Sequence, residues 1–485
     1  MVALYTHPTF SELKQDWEIY RDLYEGKHLV LTSSKYLHLH ALESIQGNTN
    51  SESLRKAREE RTRYLNTVEI IVSLWQSFFF RKAPNPDSSV LKMLGDDFKN
   101  IDGKGNSLFS FIKNEVLKCY LLNGRVDVFA DSPQGKPRSK RDQNLLGLRP
   151  FLEVIEPLAR KDWDIEANDP LRVGKYNMLR YEYLVYLPRS NSTEQPTYQY
   201  RSKVLRRDGT TYKIDIYGAK AEKGVAPKTI ALDNDWTLIQ SIDTQLKEIP
   251  VSYAEDTSWL HDVCQETIRF HNIRSMKDNI NFFQGYSKTF IIGEQDKKTE
   301  KALTEFTVSF LDEGSSVEFG PVIIPTGLEN SEKESLVNIF RLGLNQLRHL
   351  PLDSKESQSA DAVVEEKWNT LALVESTLQE IEGTIDRALS YYAELKGVRD
   401  FEGSINLNKD IDEKDFNQFI TAYSTFADKL SKYPEIEKSV LKQAVLKLGF
   451  DEAETKKALD AIEKGVTETT KNDAQNDPVQ SALNG

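Results

Sequence analysis

Residues 361–396 read DAVVEEKWNTLALVESTLQEIEGTIDRALSYYAELK, and their spacing decides how the rest of the chain is read. Apolar side chains recur at Val364, Trp368, Leu371, Val374, Leu378, Ile381, Ile385, Ala388, Tyr392 and Leu395. Every step is three or four residues, which predicts one uninterrupted helix carrying a continuous apolar stripe. At about 1.5 Å per residue such a helix is roughly 50 Å long. Glu and other polar residues fill the opposite face, which is expected to meet water or another charged surface. Gly397 stands where a helix C-terminus commonly stops. Directly upstream, Pro351-Leu-Asp-Ser-Lys-Glu-Ser-Gln-Ser359 reads as a polar loop feeding the helix. On periodicity alone, the stretch fits the long core helix of an α-rich protein.

The chain around it has 485 residues, enough for two to four domains or one elaborate domain. With 39% hydrophobic and 28% charged residues it has the composition of a folded, water-compatible protein. No run of eighteen apolar residues predicts a transmembrane helix, and MVALYTHPTFSELKQDW lacks the pattern of a secretory leader. Only Cys119 and Cys264 are present, which speaks against a disulfide framework or a cysteine zinc site and fits a reducing compartment. The formal net charge is −12. Tight binding of nucleic acid through a basic surface is therefore not expected, although a duplex sliding past the protein is compatible with it.

Upstream, His38-Leu-His40 has strand-like metal spacing but no neighbouring Cys or Asp to complete a set. Residues 51–82 are expected as one helix, charged at first and then apolar on nearly all sides, ended by Pro84 and Pro86. Asp102-Gly-Lys-Gly-Asn-Ser107 is a loop in which Ser107 caps a helix over 108–122. Its GKGNS core matches neither GxxxxGK[ST] nor GxGxxG, so nucleotide binding is not expected. A strand Val126–Ala130 and an exposed polar segment follow. From 149 to 250 the period changes to two, predicting an antiparallel β module with strands at Phe151–Ile155, Arg180–Leu187, Tyr198–Leu205, Thr211–Tyr217 and Trp236–Gln240. Asp208-Gly209 is its clearest hairpin turn. The strand tyrosines Tyr181, Tyr183, Tyr186, Tyr198, Tyr200, Tyr212 and Tyr217 suit sheet packing better than base stacking, because fixed basic partners are few.

A second long helix is expected over 257–284, with an apolar set at Trp259, Leu260, Val263, Ile268, Ile273, Met276 and Ile280. KTFIIG, TVSFL and VEFGPVII within 286–325 read as short strands. A third helix over 331–350 opens on a capping box, Ser331 and Glu334. Beyond the 361–396 helix, residues 404–464 read as a short strand and three helices. INLNKDIDEKD fails as a calcium loop because Ile411 and Asn417 stand where glycine and glutamate are required. HExxH, Gx[SC]xG and CxxC are absent, no internal repeat is visible, and no carboxylate pair is marked out. The residues alone thus describe a large α+β structural protein with no expected catalytic residues, metal or cofactor.

The order of these elements resembles the portal (head-to-tail connector) proteins of tailed bacteriophages, over roughly residues 10–460. DWEIYRDLYEGKHLV followed by KYL resembles the family's opening, and RYLNTVEIIVSLWQSFFFRKAPN its helix ending in FRK-x-P. SLFSFIKNEVLKCYLLNGRVDVFADSP and RPFLEVIEP resemble the helix and strands that follow. KEIPVSYAED, SQSADAVVEEK and INLNKDIDEKDFNQFITAY resemble the approaches to the first stem helix, the tunnel helix and the terminal helical region. Asp127 departs from the pattern, which has a small or apolar residue there, and 286–325 is short for a clip.

The resemblance implies an α+β portal fold with wing, stem, clip and crown, forming a ring, usually of twelve subunits, at one capsid vertex. The wing would be 1–255, with the β module at 149–250, and stem helix 1 would be 256–285. The clip would be 286–330, stem helix 2 331–350, the tunnel loop 351–360, the long wing or tunnel helix 361–398, the helical crown 399–465 and a disordered tail 466–485. Function would lie in the tunnel loop, Pro351, Leu352, Asp353, Ser354, Lys355, Glu356, Ser357, Gln358 and Ser359. Arg269, Arg274, Lys277, Arg341 and Arg348 on the stem would be transient channel contacts or, equally well, salt-bridge partners. Double-stranded DNA would pass non-specifically through an acidic channel that keeps it central. The other partners would be the major capsid protein, the terminase large subunit, which supplies the ATPase, and head-tail adaptor or tail proteins. No membrane is involved, and the site of action would be the virion after assembly in the host cytoplasm. The alternatives are an oligomeric virion structural or scaffold-like protein without a DNA channel, and a nucleic-acid-processing enzyme with an unrecognised carboxylate site.

Overall fold

The computed structural model describes residues 4–39, 51–133, 149–189, 195–224, 236–244, 246–285, 289–292, 308–311, 326–344 and 360–407. The chain divides into two compact units, Met1–Arg21, Ile70–His261 and Gln346–Ile411 in one, Asp22–Glu69, Asp262–Asn345 and Asp412–Gly485 in the other. The helices are α1 (Pro8–Glu25), α2 (His28–Leu31), α3 (Ser51–Arg61), α4 (Thr67–Phe79), α5 (Ser88–Leu94), α6 (Leu108–Phe111), α7 (Lys118–Asn123), α8 (His261–Gly285), α9 (Thr326–Leu344) and α10 (Ala360–Leu395).

The first unit carries two larger sheets and a two-stranded one that pairs Asn85–Pro86 with β13 (Ile405–Asn406). Strands β1 (Asn85–Pro86), β2 (Arg125–Asp131), β3 (Phe151–Ile155), β4 (Arg160–Ile165), β5 (Tyr176–Leu187), β6 (Thr197–Asp208), β7 (Thr211–Gly218), β8 (Glu222–Lys223), β9 (Thr237–Asp243) and β10 (Val251–Glu255) all belong to it. The expected single β module is corrected here. β3 leaves it to pair with β2, and the three-stranded sheet runs β10-β2-β3, while a six-stranded sheet runs β4-β5-β6-β7-β9 with β8 on β6. β4 and β10 had no expectation attached: RKDWDI is too charged to read as a strand, and VSYAE follows Pro250 and reads as the approach to a helix. The Asp208-Gly209 hairpin is present, with Asp208 opposite Thr211 and Gly209 at φ +64°.

The two larger sheets share one apolar core, in which Phe129, Ile155, Leu179, Leu205, Ile214 and Val251 are buried together. A fully buried side chain of this kind stabilises by about 1.5–3 kcal/mol relative to exposure. Of the strand tyrosines, Tyr181, Tyr198 and Tyr212 are buried and Tyr186 is exposed. Sheet packing thus accounts for three of the seven outright.

Helix α10 is bracketed onto this body along its C-terminal half. Val374, Leu378, Ile381, Ile385, Ala388 and Tyr392 are buried, as the stripe predicts. The helix stops as Gly397 adopts φ +79°, with Val398 N donating to Ala393 O (2.9 Å) and Gly397 N to Glu394 O (3.0 Å), a Schellman closure. Its polar face, expected to meet water or a foreign surface, is instead partly engaged within its own unit. Glu380 accepts from Tyr120 Oη (2.7 Å) and from Glu255 N (3.0 Å), and Thr384 Oγ1 donates to Tyr253 O (3.1 Å).

The expected single helix over 51–82 is two. Asn66 precedes and caps α4: its Oδ1 accepts from Glu69 N (3.1 Å), and its Nδ2 donates to Glu69 Oε2 (2.8 Å). In α4, Val68, Ile71, Val72, Trp75 and Phe79 are buried at helical spacing while Ile70 stays 42% exposed, so this helix is one-sided and not apolar all round in its environment. Ser107 does cap the next helix, accepting from Ser110 N (3.3 Å). That helix runs through α6, a π-type segment Ile112–Leu117 and α7, and Gln76 Nε2 takes up the Lys113 carbonyl at 2.6 Å.

α8 starts at His261, four residues after the expected 257, because Ser258 Oγ accepts from Leu260 N (3.1 Å) and holds a turn there. α9 starts at Thr326, so Ser331 and Glu334 lie inside it and do not form the expected capping box. Strands β11 (Thr289–Ile292) and β12 (Val308–Leu311) pair in parallel. VEFGPVII, the end of the 331–350 helix and the helices expected over 412–463 lie outside the described residues.

Candidate functional site

The residues singled out by sequence separate into three groups. Pro351–Ser359 and Arg348 lie outside the described residues. Arg269, Arg274 and Lys277 sit on α8, and Arg341 on α9. Within this second group the structure brings together only some. Lys277 Nζ forms an ion pair with Glu332 of α9, and Ser335 Oγ of the same helix donates to Glu266 Oε1 at 2.5 Å. Arg269 is exposed and stands 3.5 Å from Glu266, one turn back on its own helix. Arg274 is half-buried, with Asp278 one turn on; Arg341 is exposed. Burial raises the Asp278 carboxyl, and the Arg274 and Lys277 charges oppose that rise. In this pair the Arg269 side chain is mostly exposed and the Glu266 side chain mostly buried.

The buried side of α8 keeps Val263 of the apolar set read from sequence, and Trp259 and Leu260 are buried just ahead of the helix, but Ile268, Ile273, Met276 and Ile280 are only partly buried. That side runs through Val263, Cys264, Thr267, Phe270, His271 and Ser275. Thr267 Oγ1 meets Thr67 Oγ1 at 3.0 Å, and Ser275 Oγ meets Thr62 Oγ1 at 2.8 Å and accepts from Arg58 Nη1 at 3.2 Å. His271 Nε2 donates to Leu31 O at 3.1 Å, and burial pushes its imidazole below the usual range, so it is neutral at pH 7. A polar seam of this kind specifies one register between helices, where an apolar stripe tolerates sliding. The signal was present as polar letters at helical spacing, and it was hidden because Ile268, Ile273, Met276 and Ile280 offer a stronger apolar pattern on another face.

The third group is chemistry that sequence left unassigned. The GKGNS loop folds around its own acid: Asp102 Oδ1 accepts from Lys104 N (2.9 Å) and Asn106 N (3.1 Å), and Oδ2 from Asn106 Nδ2 (2.7 Å). The amides a phosphate would need are thus occupied by a carboxylate, and these bonds hold the Asp102 carboxyl low despite the opposing effect of its burial. His38 donates its backbone N–H to Asn272 Oδ1 (2.8 Å), and its supposed metal partner His40 lies outside the described residues. Both thiols are buried and free, and burial raises both above the ordinary thiol range, away from nucleophilic use.

Asp127 is the buried centre of an ionic cluster. It projects from β2 with no solvent exposure and receives Arg125 Nε and Nη2, each at 3.3 Å. Arg160 Nη1 of β4 lies 3.8 Å from it, and Tyr176 Oη of β5 donates to it. Arg125 also donates to Tyr176 Oη (2.7 Å) and pairs with Glu255 of β10. The Arg160 guanidinium lies 3.7 Å over the Trp163 ring, and Trp163 stacks on His7 at 3.9 Å. Burial would raise Asp127, but the two guanidinium groups outweigh it and hold its carboxyl below the usual range. The arrangement balances charge with charge and ties together strands of both sheets. It is a structural bracket, with the cations turned inward and not toward a ligand.

Among the described residues, no group of three or more His, Cys, Asp or Glu is placed to hold a metal ion, and no helix is long and apolar enough to cross a membrane. No protein-family model matches the chain, and no curated protein matches it.

Proposed function

We propose that this chain is a portal subunit: a component of a ring, of twelve copies on the family pattern, at one capsid vertex. Through that ring double-stranded DNA would be packaged and ejected, and on it terminase and tail adaptor would dock. The observation that carries this reading is the succession of elements from His261 to Leu395. A helix of 25 residues, two short paired strands, a helix of 19 and, beyond the polar sequence 351–359, a helix of 36 follow one another. That is the order in which a stem, a clip, a second stem helix, a tunnel loop and a tunnel helix would occur.

Two further features support it. The first and second of these helices are joined by Lys277–Glu332 and Ser335–Glu266, as two helices that must bear load together would be. The last is mounted by its C-terminal half, and the polar segment 351–359 precedes its first residue in sequence. Repeated around an axis, that segment becomes a constriction, and the net charge of −12 disfavours retention of the duplex. Portal action is mechanical and channel-like, with ATP hydrolysis left to the terminase.

Electron microscopy and native mass measurement of the full chain test the reading. Rings of several hundred kilodaltons with an axial hole and a countable symmetry are expected, without ATPase activity. A monodisperse monomer at high concentration would overturn it. Oligomers without a hole would favour a scaffold-like structural protein instead.

A further inference from the structure

The six-stranded sheet carries exposed aliphatic side chains at two separate places. The first is the loop between β4 and β5, where Leu171 is 86% exposed and Val173 58%, while Arg172 between them is buried. This out-in-out order is built into the loop. Arg172 Nη1 donates to Asn177 Oδ1 (2.9 Å), which holds that side chain inward and leaves its two neighbours outward. Glu166 accepts from Asn168 N (3.0 Å), Asp169 N (3.2 Å) and Asn177 Nδ2 (3.1 Å), and Leu171 N donates to Asp169 Oδ1 (3.0 Å). Glu166 N donates to Lys175 O (2.9 Å) and Gly174 N to Glu166 O (3.0 Å), closing the base. Leu171 and Val173 cannot be folded away without breaking these bonds.

The second place is β9, where Leu238 is 50% exposed and Ile239 48%. A bulge leaves Ile239 without an opposite residue between the pairs Tyr217–Leu238 and Ile216–Gln240. The two places are separated both across the sheet and along it. In the order β4-β5-β6-β7-β9 the loop belongs to the first two strands and Leu238 to the last. The loop lies beyond the row of Met178, Arg206, Lys213 and Asp243, whereas Leu238 stands in the row of Glu182, Ser202 and Tyr217. With neighbouring strands about 4.8 Å apart, roughly 15–20 Å of sheet lies between them, so they do not meet within one chain.

We propose that Leu171 and Val173 of one copy of this chain seat against Leu238 and Ile239 of the next, as a head-to-tail contact. The choice of partner rests on the ring-forming reading. A second copy presents to each place an aliphatic pair that matches it. An isologous dimer would use one place and leave the other exposed in both copies, whereas a contact between unlike places uses both. Such a heterologous contact closes into a ring when its rotation divides a full turn. Four side chains fall well short of the roughly 800 Å² per partner of a standard interface, so this contact is one element of a larger one.

Oxidative cross-linking of the full chain tests it. Cys119 and Cys264 are buried, so thiols introduced by Leu171→Cys and Leu238→Cys are the accessible ones. A disulfide needs Cα atoms about 4.4–6.8 Å apart, which the separation across the sheet denies to a single chain. The double variant should give a ladder of covalent dimers, trimers and higher species on a non-reducing gel. A mixture of the two single variants should stop at dimers, and each single variant alone should stay uncross-linked. Leu171→Ser combined with Val173→Ser alters only exposed side chains and should raise the midpoint concentration of assembly about tenfold. Dimers from Leu171→Cys alone, or a double variant without a ladder, would overturn the contact. Native mass of the parent reports the ring reading separately: rings without the ladder overturn this contact only, and a monodisperse monomer overturns the ring reading and the partner named here with it.

Discussion

Arg160 and Asp127 meet 3.8 Å apart from strands of two different sheets, and both side chains are sealed from solvent. With Arg125 and Tyr176 they fasten one sheet to the other at the margin of the apolar core. The contribution of such a cluster depends on completeness. Replacing the whole of it by well-packed apolar side chains can be neutral, whereas removing one member leaves a buried charge without its counter-ion.

Asp127→Asn is therefore expected to lower stability by about 3–5 kcal/mol, although it preserves shape, because Arg125 and Arg160 lose their shared anion. Urea unfolding measures this directly. Arg160→Met keeps an apolar side chain beside Trp163 and removes the charge together with two buried nitrogens that make no hydrogen bond, Nε and Nη1. It should cost less than Asp127→Asn. The reverse order would show that Asp127 is not the counter-ion the geometry makes it.

A second prediction concerns acid. Asp97 accepts from Lys396 Nζ (2.7 Å), Arg149 Nη1 (2.9 Å) and Tyr392 Oη (2.9 Å), fixing the last turn of α10. Burial opposes its ionisation, yet these partners hold its carboxyl below the ordinary value of 3.8. A lowered acid contributes stability above its unfolded value and loses it as pH falls through the folded one. The stability of this unit should hence decline below about pH 4, and Asp97→Asn should flatten that part of the curve. An unchanged acid limb in the variant would mean that other carboxylates carry the decline.

How far these features were legible varies with their physical range. α10 was readable almost to the residue, because a stripe from Val374 to Tyr392 needs only helical period, and Gly397 marks the stop by its own conformation. The start of α9 was not, since Ser331 and Glu334 form a capping pattern that competes with simple continuation of the helix. Asn66 is an N-cap inside an apparent single helix, and it is hard to read because the flanking apolar run dominates. Asp127 was visible only as a polar letter among apolar ones. Its partners Arg160 and Tyr176 come from later strands, and no local pattern announces a pairing that long-range topology creates. Asp87, which accepts from Ser404 N, belongs to the same class, because it arrives from far upstream.

Gly124 supplies a third prediction. It ends α7 at φ +71°, and a Cβ there would stand 2.4 Å from Asp256 O and Ser258 N, both backbone atoms. Gly124 O also accepts from Asp256 N at 2.7 Å, so the two segments cannot separate without losing that bond. Gly124→Ala combines left-handed strain with a backbone clash, and a loss above about 2 kcal/mol is expected. A loss no larger than that of Gly209→Ala, whose Cβ would meet nothing within 4 Å, would mean that the approach relaxes freely.

The last prediction separates mounting from action in the proposed channel. The C-terminal half of α10 is held by Glu380, Asp386, Tyr392 and Lys396, all more than a turn away from residues 352–359 in sequence and all bonded within the β-bearing unit. Deleting 352–359 removes no described bond of that mount. Ring assembly is therefore expected to survive the deletion, and thermal unfolding to shift little, while DNA packaging or retention falls. Exchanging the exposed Arg269 and Arg341 for glutamine should likewise leave stability within about 0.5 kcal/mol, because exposed charges contribute little to folding. If these arginines touch passing DNA, packaging by that variant should differ from the parent most at low ionic strength and converge with it as salt screens the contact. Loss of the ring on deleting 352–359 would instead make that segment part of the assembly contact, and the place to look for function would move from the loop to the helix pair.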